Sequence, residues 1–311
     1  MTSTESLHIR AATRASALAQ WQTDAVADAL VEVAERAGVR LTVEKVLVET
    51  TADQRLDIPI HAMGGKGVFV KEVQAAVLDG RADIAVHSGK DMPAITPTGL
   101  IIAAVPPRAD ARDLLIGSTL DGLLEGATVA TGSIRRRAQL AHLRPDLRFA
   151  DLRGNIATRL AKSVDFDAIV MAAAAVDRLE VDLSDHAIEL LDPAVMLPQV
   201  AQGAMAVECR DDASAIGELL SLIEHPASRI AVDAERAFLA ELGGDCDLPA
   251  GAYATLRGNI LEIEAILASE DGVTVLRERR RVPAHDALIV GRELARELLD
   301  HRGGAELLRD R

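Results

Sequence analysis

Short apolar segments alternate with amphipathic helical stretches through roughly the first two thirds of the chain. Leu7, Ile9 and Ala11 alternate with polar residues, as in a strand. A helical repeat follows, with its apolar face at Leu18, Trp21, Ala25, Ala29, Leu30 and Val33. The same order of strand, polar turn and helix returns with a strand at Val129 and a helix at Arg135, and again at residues 149–160 and 169–179. This alternation predicts an α/β fold with parallel sheets covered by helices.

The pattern changes near residue 228. A helix at 228–242 leads into a glycine- and proline-rich loop, and three strands at 253–257, 260–267 and 273–280 precede a last helix at 286–301. This order predicts a small α+β domain with a three-stranded antiparallel sheet. We expect three domains: residues 1–106 with 202–222, residues 107–201, and residues 223–311.

Composition narrows the classes of function. The net charge of −14 and the aromatic content of 2% disfavour nucleic acid as a partner, and the charge also repels anionic membranes. No apolar run reaches the length of a membrane span, and the N-terminus shows no secretory signal. Two cysteines cannot build a disulfide framework, so we expect a cytoplasmic protein with a small-molecule ligand.

An arginine-rich segment at residues 131–159 stands out in this acidic chain. It is opposed in sequence only by Asp146 and Asp151, and its arginines are Arg135, Arg136, Arg137, Arg144, Arg148, Arg153 and Arg159. Guanidinium groups match carboxylates and phosphates, which predicts a small anionic ligand. Arg135 and Arg136 follow a capping Ser133, where the helix dipole disfavours cations unless an anion is present. A solvated helix face remains the alternative for Arg137, Arg144 and Arg148.

Asp91 and the two cysteines are further candidates for chemistry. Asp91 follows the predicted strand at 84–86, and open α/β sheets place ligand sites at the carboxyl ends of strands. Its alternative role is a turn residue before Pro93. Cys209 lies in an apolar strand pattern and is expected to be buried and inert, whereas Cys246 lies in a loop where a thiol can carry a covalent group. The scattered histidines predict no metal site.

Six segments occur in one order over nearly the whole chain: TRAS at 13–16, GGKGVFVKE at 64–72, DIAVHSGKDMP at 83–93, SIRR at 133–136, LRGN at 152–155 and GGDC at 243–246. As a set they resemble the porphobilinogen deaminase (hydroxymethylbilane synthase) family. The resemblance implies a monomeric three-domain transferase of tetrapyrrole and heme biosynthesis. Such an enzyme joins four porphobilinogen molecules head to tail with loss of ammonia, on a dipyrromethane cofactor bound to a cysteine.

The resemblance also implies roles for individual residues. Asp91 matches the catalytic aspartate, which stabilises the azafulvenium-like cation left when ammonia departs. The cofactor-binding set is Cys246 (the covalent thioether), Lys90, Asp91, Ser133, Arg135, Arg136, Arg153 and Gly154. The substrate-binding set is Arg14, Ser16, Lys66, Phe69, Arg159 and Arg178. The chain departs from the family pattern at Ala52, Ala62, Gly132, Ala175, Ala201 and Asp245, where glycine, serine or a basic residue is common.

A non-catalytic function is the alternative. Two parallel α/β domains around a cleft, which would place Arg14 and Asp91 opposite the arginine-rich segment, are also typical of periplasmic-binding-protein-like domains. In such a protein the arginines would hold a small di- or tricarboxylate. This alternative gives no role to Cys246 or to the third domain.

Overall fold

The computed structural model describes residues 6–50, 70–243 and 248–309. The chain forms two compact units. Unit 1 comprises Met1–Arg108 and Ala204–Arg229, and unit 2 comprises Ala109–Gly203 and Ile230–Arg311. Unit 2 thus holds most of the predicted arginine-rich and C-terminal domains together, and the division into three domains stays a prediction.

Strands and helices occupy most of the described residues. The strands are β1 (Ser6–Arg14), β2 (Arg40–Val48), β3 (Ile84–Ser88), β4 (Leu100–Ala104), β5 (Asp113–Ile116), β6 (Thr128–Ala130), β7 (Arg148–Ala150), β8 (Ala168–Ala172), β9 (Ile188–Leu191), β10 (Met205–Arg210), β11 (Ala250–Arg257), β12 (Ile260–Ala268) and β13 (Val275–Pro283). The α-helices are Ala17–Arg36, Lys71–Leu78, Ile134–Leu143, Ile156–Ala161, Ala173–Arg178, Ser214–Ser221, Pro226–Glu241, Ala287–Arg296 and Gly304–Leu307.

Unit 1 is built on a five-stranded sheet with the order β2-β1-β3-β10-β4. β1 is parallel to β2 and β3, whereas β10 is antiparallel to both of its neighbours. Apolar side chains cover both faces: Leu30 and Val207 belong to one core cluster, and Val77 and Ala85 belong to the other. Two buried faces explain why these strands read as nearly continuous apolar runs.

Unit 2 repeats this arrangement in a sheet with the order β7-β6-β8-β5-β9. Here β5 is the antiparallel strand, and β6 is parallel to β7 and β8. The predicted α/β class is confirmed, but β5 and β9 were not predicted, nor was the direction of β10. Both antiparallel strands begin soon after the chain enters a unit, at residues 109 and 204, with no crossover helix to impose parallel pairing.

The first helix, Ala17–Arg36, confirms the predicted element but not the whole predicted face. Leu30 is buried, whereas Trp21 is 38% exposed, so its assignment to the apolar face was wrong. The buried face instead includes Gln22 and Thr23. Both side chains can be buried because they are hydrogen-bonded, Gln22 to Ser88 and Thr23 to the carbonyl of Ala19.

The C-terminal part of unit 2 contains the antiparallel sheet β11-β12-β13, as predicted. The turn between β12 and β13 contains Gly272 at φ +75°, and a Cβ there would lie 2.4 Å from the Ala138 carbonyl oxygen. The turn therefore lies directly against the Ile134–Leu143 helix, and His142 Nδ1 lies 3.0 Å from the Gly272 oxygen. The predicted last helix is α-helical over Ala287–Arg296 and continues as a wider turn over Glu297–His301.

Cys209 lies in β10 and is buried, as expected. Burial raises the pKa of its thiol, and the neighbouring Glu208 adds to the shift. Among the described helices, none combines the length and apolarity that crossing a bilayer requires.

Candidate active site

The carboxyl edge of the unit 1 sheet forms a pocket that contains three of the predicted site residues. Arg14 ends β1, and Asp91 ends the 3₁₀ turn Gly89–Asp91 that follows β3. Because β1 and β3 are parallel neighbours, their carboxyl ends lie at the same edge. Ser16 caps the first helix by accepting from the Ala19 N–H at 3.3 Å. Arg14, Ser16 and Asp91 line one pocket, and the partly buried Lys90 precedes Asp91.

Gln22 also lines this pocket and was missed by the sequence analysis. Gln22 is buried, and its amide lies 2.9 Å (Nε2) and 3.1 Å (Oε1) from the Ser88 hydroxyl. His87 is buried at the end of β3. The sequence signal for Gln22 was its place among apolar positions of a helix, where a polar side chain needs a partner.

Behind His87 lies a buried carboxylate, Glu208 of β10. Gln74 Nε2 donates to both Glu208 oxygens, at 3.1 and 3.0 Å, and His87 Nε2 lies 3.0 Å from Glu208 Oε2. An isolated buried carboxylate is costly, and the two Gln74 hydrogen bonds offset part of that cost. The sequence analysis did not identify Glu208 as a candidate residue.

In unit 2, Arg135 and Arg136 occupy the first turn of the Ile134–Leu143 helix. Ser133 caps this helix, as predicted, by accepting from the Arg136 N–H at 3.4 Å. Both arginines are buried, with 3% and 6% of their surface exposed. They converge on Asp113, the first residue of β5, whose carboxylate is fully buried. The predicted need for an anion beside these arginines is thus met within the chain.

Asp113 accepts four hydrogen bonds. Arg136 Nε and Nη2 donate to its Oδ1 at 3.0 and 2.7 Å, and Gln202 Nε2 donates to the same oxygen at 2.8 Å. Arg135 Nη2 donates to its Oδ2 at 2.8 Å. Burial alone raises the pKa of Asp113, but the attraction of both arginines and the Gln202 hydrogen bond outweigh it and hold the pKa well below its usual range.

The arginine cluster nevertheless has capacity for a further anion. Two guanidiniums and one carboxylate leave one net positive charge. The Nη1 atoms donate to backbone carbonyls, Arg135 to Leu197 at 2.5 Å and Arg136 to Val170 at 3.0 Å. Arg135 Nε is buried and has no hydrogen-bond partner among the described residues. Burial lowers the pKa of Arg135, yet an arginine keeps its charge at neutral pH.

The remaining predicted residues of unit 2 lie near the same edge of its sheet. Arg153 and Gly154 follow β7, which is the parallel neighbour of β6. Gly154 has φ +114°, and its carbonyl accepts from Arg159 Nε at 2.8 Å. Arg178 ends the helix after β8, is buried, and donates from Nη2 to the Gly203 carbonyl at 2.8 Å. Burial lowers the pKa of Arg178.

The structure thus groups the predicted residues into two sets without testing their roles. One set lines the unit 1 pocket, and the other lies at the carboxyl edge of the unit 2 sheet. Lys66, Phe69 and Cys246 lie outside the described residues, as do the positions Ala52, Ala62 and Asp245.

Comparison with known proteins identifies the family. Residues 9–218 match the family model described as porphobilinogen deaminase, dipyromethane cofactor binding domain. Residues 229–300 match the porphobilinogen deaminase C-terminal domain. The chain belongs to the porphobilinogen deaminase family. The predicted resemblance is confirmed, and the match to both family domains disfavours the solute-binding alternative.

Relatives named porphobilinogen deaminase align over nearly their whole length. The protein from Roseiflexus sp. (strain RS-1) is 46% identical over 301 residues, which cover 95% of this chain and 97% of the relative. The protein from Syntrophotalea carbinolica is 42% identical over 305 residues, with 96% and 95% coverage. The protein from Acidothermus cellulolyticus is 43% identical over 309 residues, with 96% and 90% coverage.

The cofactor that the family model names is compatible with the residues present. A dipyrromethane carries acetate and propionate side chains, so a site for it needs uncompensated positive charge and buried donors. The Arg135–Arg136–Asp113 cluster has one net positive charge, and Arg135 Nε is a buried donor with no partner among the described residues. These two properties fit a carboxylate ligand.

Proposed function

We propose that this chain is a hydroxymethylbilane synthase that condenses four porphobilinogen molecules into a linear tetrapyrrole. The observation that carries the proposal is the match to both domains of the porphobilinogen deaminase family, at residues 9–218 and 229–300. In each cycle the aminomethyl C–N bond breaks and ammonia leaves. The methylene carbon then bonds to the free α-carbon of the terminal pyrrole, and the proton lost there ends on ammonia. Water adds in the last step, which releases the product.

Asp91 is the proposed catalytic residue. Departure of ammonia leaves a positive charge that is delocalised onto the pyrrole nitrogen. A fixed carboxylate that accepts from pyrrole N–H groups stabilises that charge as it develops. The position of Asp91 supports this role, because a short turn at the end of a buried strand holds it in the pocket that Arg14 and Ser16 also line.

The arginines are proposed to bind the acidic side chains of cofactor, substrate and growing chain. When bound through Cys246, the dipyrromethane supplies the terminal pyrrole on which the chain grows. Ser133, Arg135, Arg136, Arg153 and Gly154 hold its carboxylates, with Lys90 beside Asp91. Arg14, Ser16, Arg159 and Arg178, with Lys66 and Phe69, bind the substrate. Support comes from the net charge and the buried donor of the Arg135–Arg136 pair.

We also propose that the enzyme works in the cytoplasm as a monomer on a small-molecule substrate. The net charge of −14 and the two cysteines support the location, and the family resemblance supports the monomer. Light scattering of the purified protein tests the oligomeric state.

Intact-mass measurement tests the function directly. Purified protein should carry a covalent increment of two pyrrole units, and added porphobilinogen should produce further increments of one pyrrole unit each. A chain without any increment that binds dicarboxylates and releases no ammonia would instead be a solute-binding protein.

The variant Asp91→Ala tests the role of the aspartate. It should abolish turnover while the fold and the attached increment remain, because the variant loses the carboxylate that stabilises the developing positive charge. The matched control is Asp79→Ala, an exposed aspartate of the same unit that pairs with Arg81. Near-wild-type turnover of Asp91→Ala would refute the catalytic role.

A further inference from the structure

We infer that Asp113 is a positioning residue for the proposed reaction: through its Oδ2 atom it fixes the guanidinium of Arg135 in the orientation that receives a carboxylate. This inference rests on the proposed function. Asp113 itself is not expected to contact ligand, because its carboxylate is fully buried and accepts four hydrogen bonds from protein donors.

The two carboxylate oxygens of Asp113 accept hydrogen bonds from different residues. Oδ1 accepts from Arg136 twice and from Gln202 once, at 2.7 to 3.0 Å. Oδ2 accepts from Arg135 Nη2 at 2.8 Å. Arg135 is otherwise held by the Leu197 carbonyl through Nη1, so these two contacts at the end of the side chain define where Nε points. Loss of the Oδ2 contact leaves Arg135 with one anchor.

The charge of Asp113 also sets the net charge of the cluster, and therefore how many ligand carboxylates neutralise it. With Asp113 ionised, the cluster has one net positive charge, which a single carboxylate neutralises. Removing the Asp113 charge leaves two adjacent buried guanidiniums that repel each other. Arg136 keeps both of its hydrogen bonds with any side chain that presents an oxygen at the Oδ1 position, so the effect falls mainly on Arg135.

The backbone of β11 packs against the Arg135 side chain and restricts its position. Gly251 in β11 approaches so closely that a Cβ would lie 3.1 Å from Arg135 Cδ and 2.5 Å from the Pro198 oxygen. The Cδ end of the side chain is therefore confined by β11, while the guanidinium end is confined by Asp113 and Leu197. Arg135 is thus held at both ends, and Nε lies between the two restraints with no partner among the described residues.

The experiment is a double-mutant cycle of Asp113→Asn, Arg135→Gln and the double variant in the full-length protein. Asparagine can present its oxygen to Arg136 and Gln202, but its amide then faces Arg135 Nη2, donor against donor. Each variant is assayed for the fraction of protein with the two-pyrrole mass increment and for kcat and KM with porphobilinogen. Asp146→Asn is the matched control, because Asp146 likewise accepts two hydrogen bonds from one arginine, Arg144, and lies just beyond the C-terminal end of the same helix.

Asp113→Asn should lower cofactor attachment and kcat/KM by roughly 10- to 100-fold, the range expected for loss of one charge-assisted hydrogen bond. If Asp113 acts through Arg135, the double variant should be no worse than Arg135→Gln alone. The double variant also keeps the net charge of the cluster at one, so it remains informative even where Asp113→Asn alone folds poorly. Asp146→Asn should behave as wild type.

Two outcomes would overturn the inference alone: Asp113→Asn with wild-type attachment and kinetics, or a double variant whose loss equals the product of the two single losses. The second outcome would mean that Asp113 has a structural role independent of Arg135. A wild-type protein with neither increment nor turnover would overturn the proposed function, and the inference with it.

Discussion

Replacement of Gly251 by alanine should disturb the arginine cluster from its backbone side. The added Cβ would lie 2.5 Å from the Pro198 oxygen, 3.1 Å from Arg135 Cδ and 3.3 Å from the Leu197 oxygen. Ordinary contact begins at 3.4 Å, so β11 and the Pro198 carbonyl must separate by about 0.9 Å. The Pro198 and Leu197 oxygens are backbone atoms, which cannot yield as the far end of a flexible side chain can.

The expected cost is that of overpacking a close-packed site, about 1–3 kcal/mol. For a unit of this size each kcal/mol lowers the melting temperature by about 2–4 °C. Arg135 should also shift, because its Cδ is one of the atoms displaced and its Nη1 donates to Leu197, beside Pro198. Cofactor attachment should therefore fall together with stability.

Thermal unfolding and intact mass, measured on the same preparation, test both effects. Gly217→Ala is the matched control. Gly217 lies within the Ser214–Ser221 helix, and a Cβ there would meet nothing within 4 Å. This substitution should stabilise the protein by about 0.5–1 kcal/mol, because alanine favours the helix. A Gly251→Ala protein with the melting temperature and attachment of wild type would refute the close-packing argument.

Two further predictions concern stability. Asp113→Asn should lower the free energy of unfolding by about 3–5 kcal/mol at pH 7, because it leaves a buried arginine uncompensated. Since the folded-state pKa of Asp113 lies below its ordinary value of 3.8, its contribution is complete above about pH 4 and is lost as the pH falls toward the folded-state pKa. Urea unfolding at pH 7 and pH 3 should therefore show a smaller deficit at pH 3, and a larger deficit there would contradict the assignment. Ala201→Gly should be neutral or stabilise the protein by up to about 1 kcal/mol. Ala201 has φ +56°, a conformation that strains an L residue by about 1–2 kcal/mol but does not strain glycine. Glycine also raises the entropy of the unfolded chain, which offsets part of this gain. A clear fall in its urea midpoint would show that the Ala201 side chain contributes packing that outweighs the strain.

The elements that the sequence predicted well are those whose signal is local. The hydrophobic pattern located the first helix and the three C-terminal strands. Arg14 and Asp91 could be placed together from sequence because they lie at the carboxyl ends of strands, and parallel strands bring such ends to one edge.

The features that the sequence could not provide depend on contacts between distant residues. β5 has four residues, too few for a clear period, so Asp113 was overlooked as the partner of arginines 22 and 23 positions further along. The contact of Glu208 with Gln74 spans 134 positions. Burial of Trp21 was predicted from its apolarity alone, whereas the hydrogen bonds of Gln22 and Thr23 determine which face of the helix is covered.

Asp113 also explains how a chain with a net charge of −14 can present a cationic site. Exposed carboxylates elsewhere are screened over about 10 Å at ordinary salt, so they affect the buried cluster little, whereas a charge inside it acts at low dielectric. A second buried carboxylate would neutralise the cluster and remove its attraction for an anionic ligand. With none, the two guanidiniums would lie side by side uncompensated, which is costly for folding. One carboxylate for two arginines is the ratio that satisfies both requirements, because it allows the pair to be buried and still leaves one charge for the ligand.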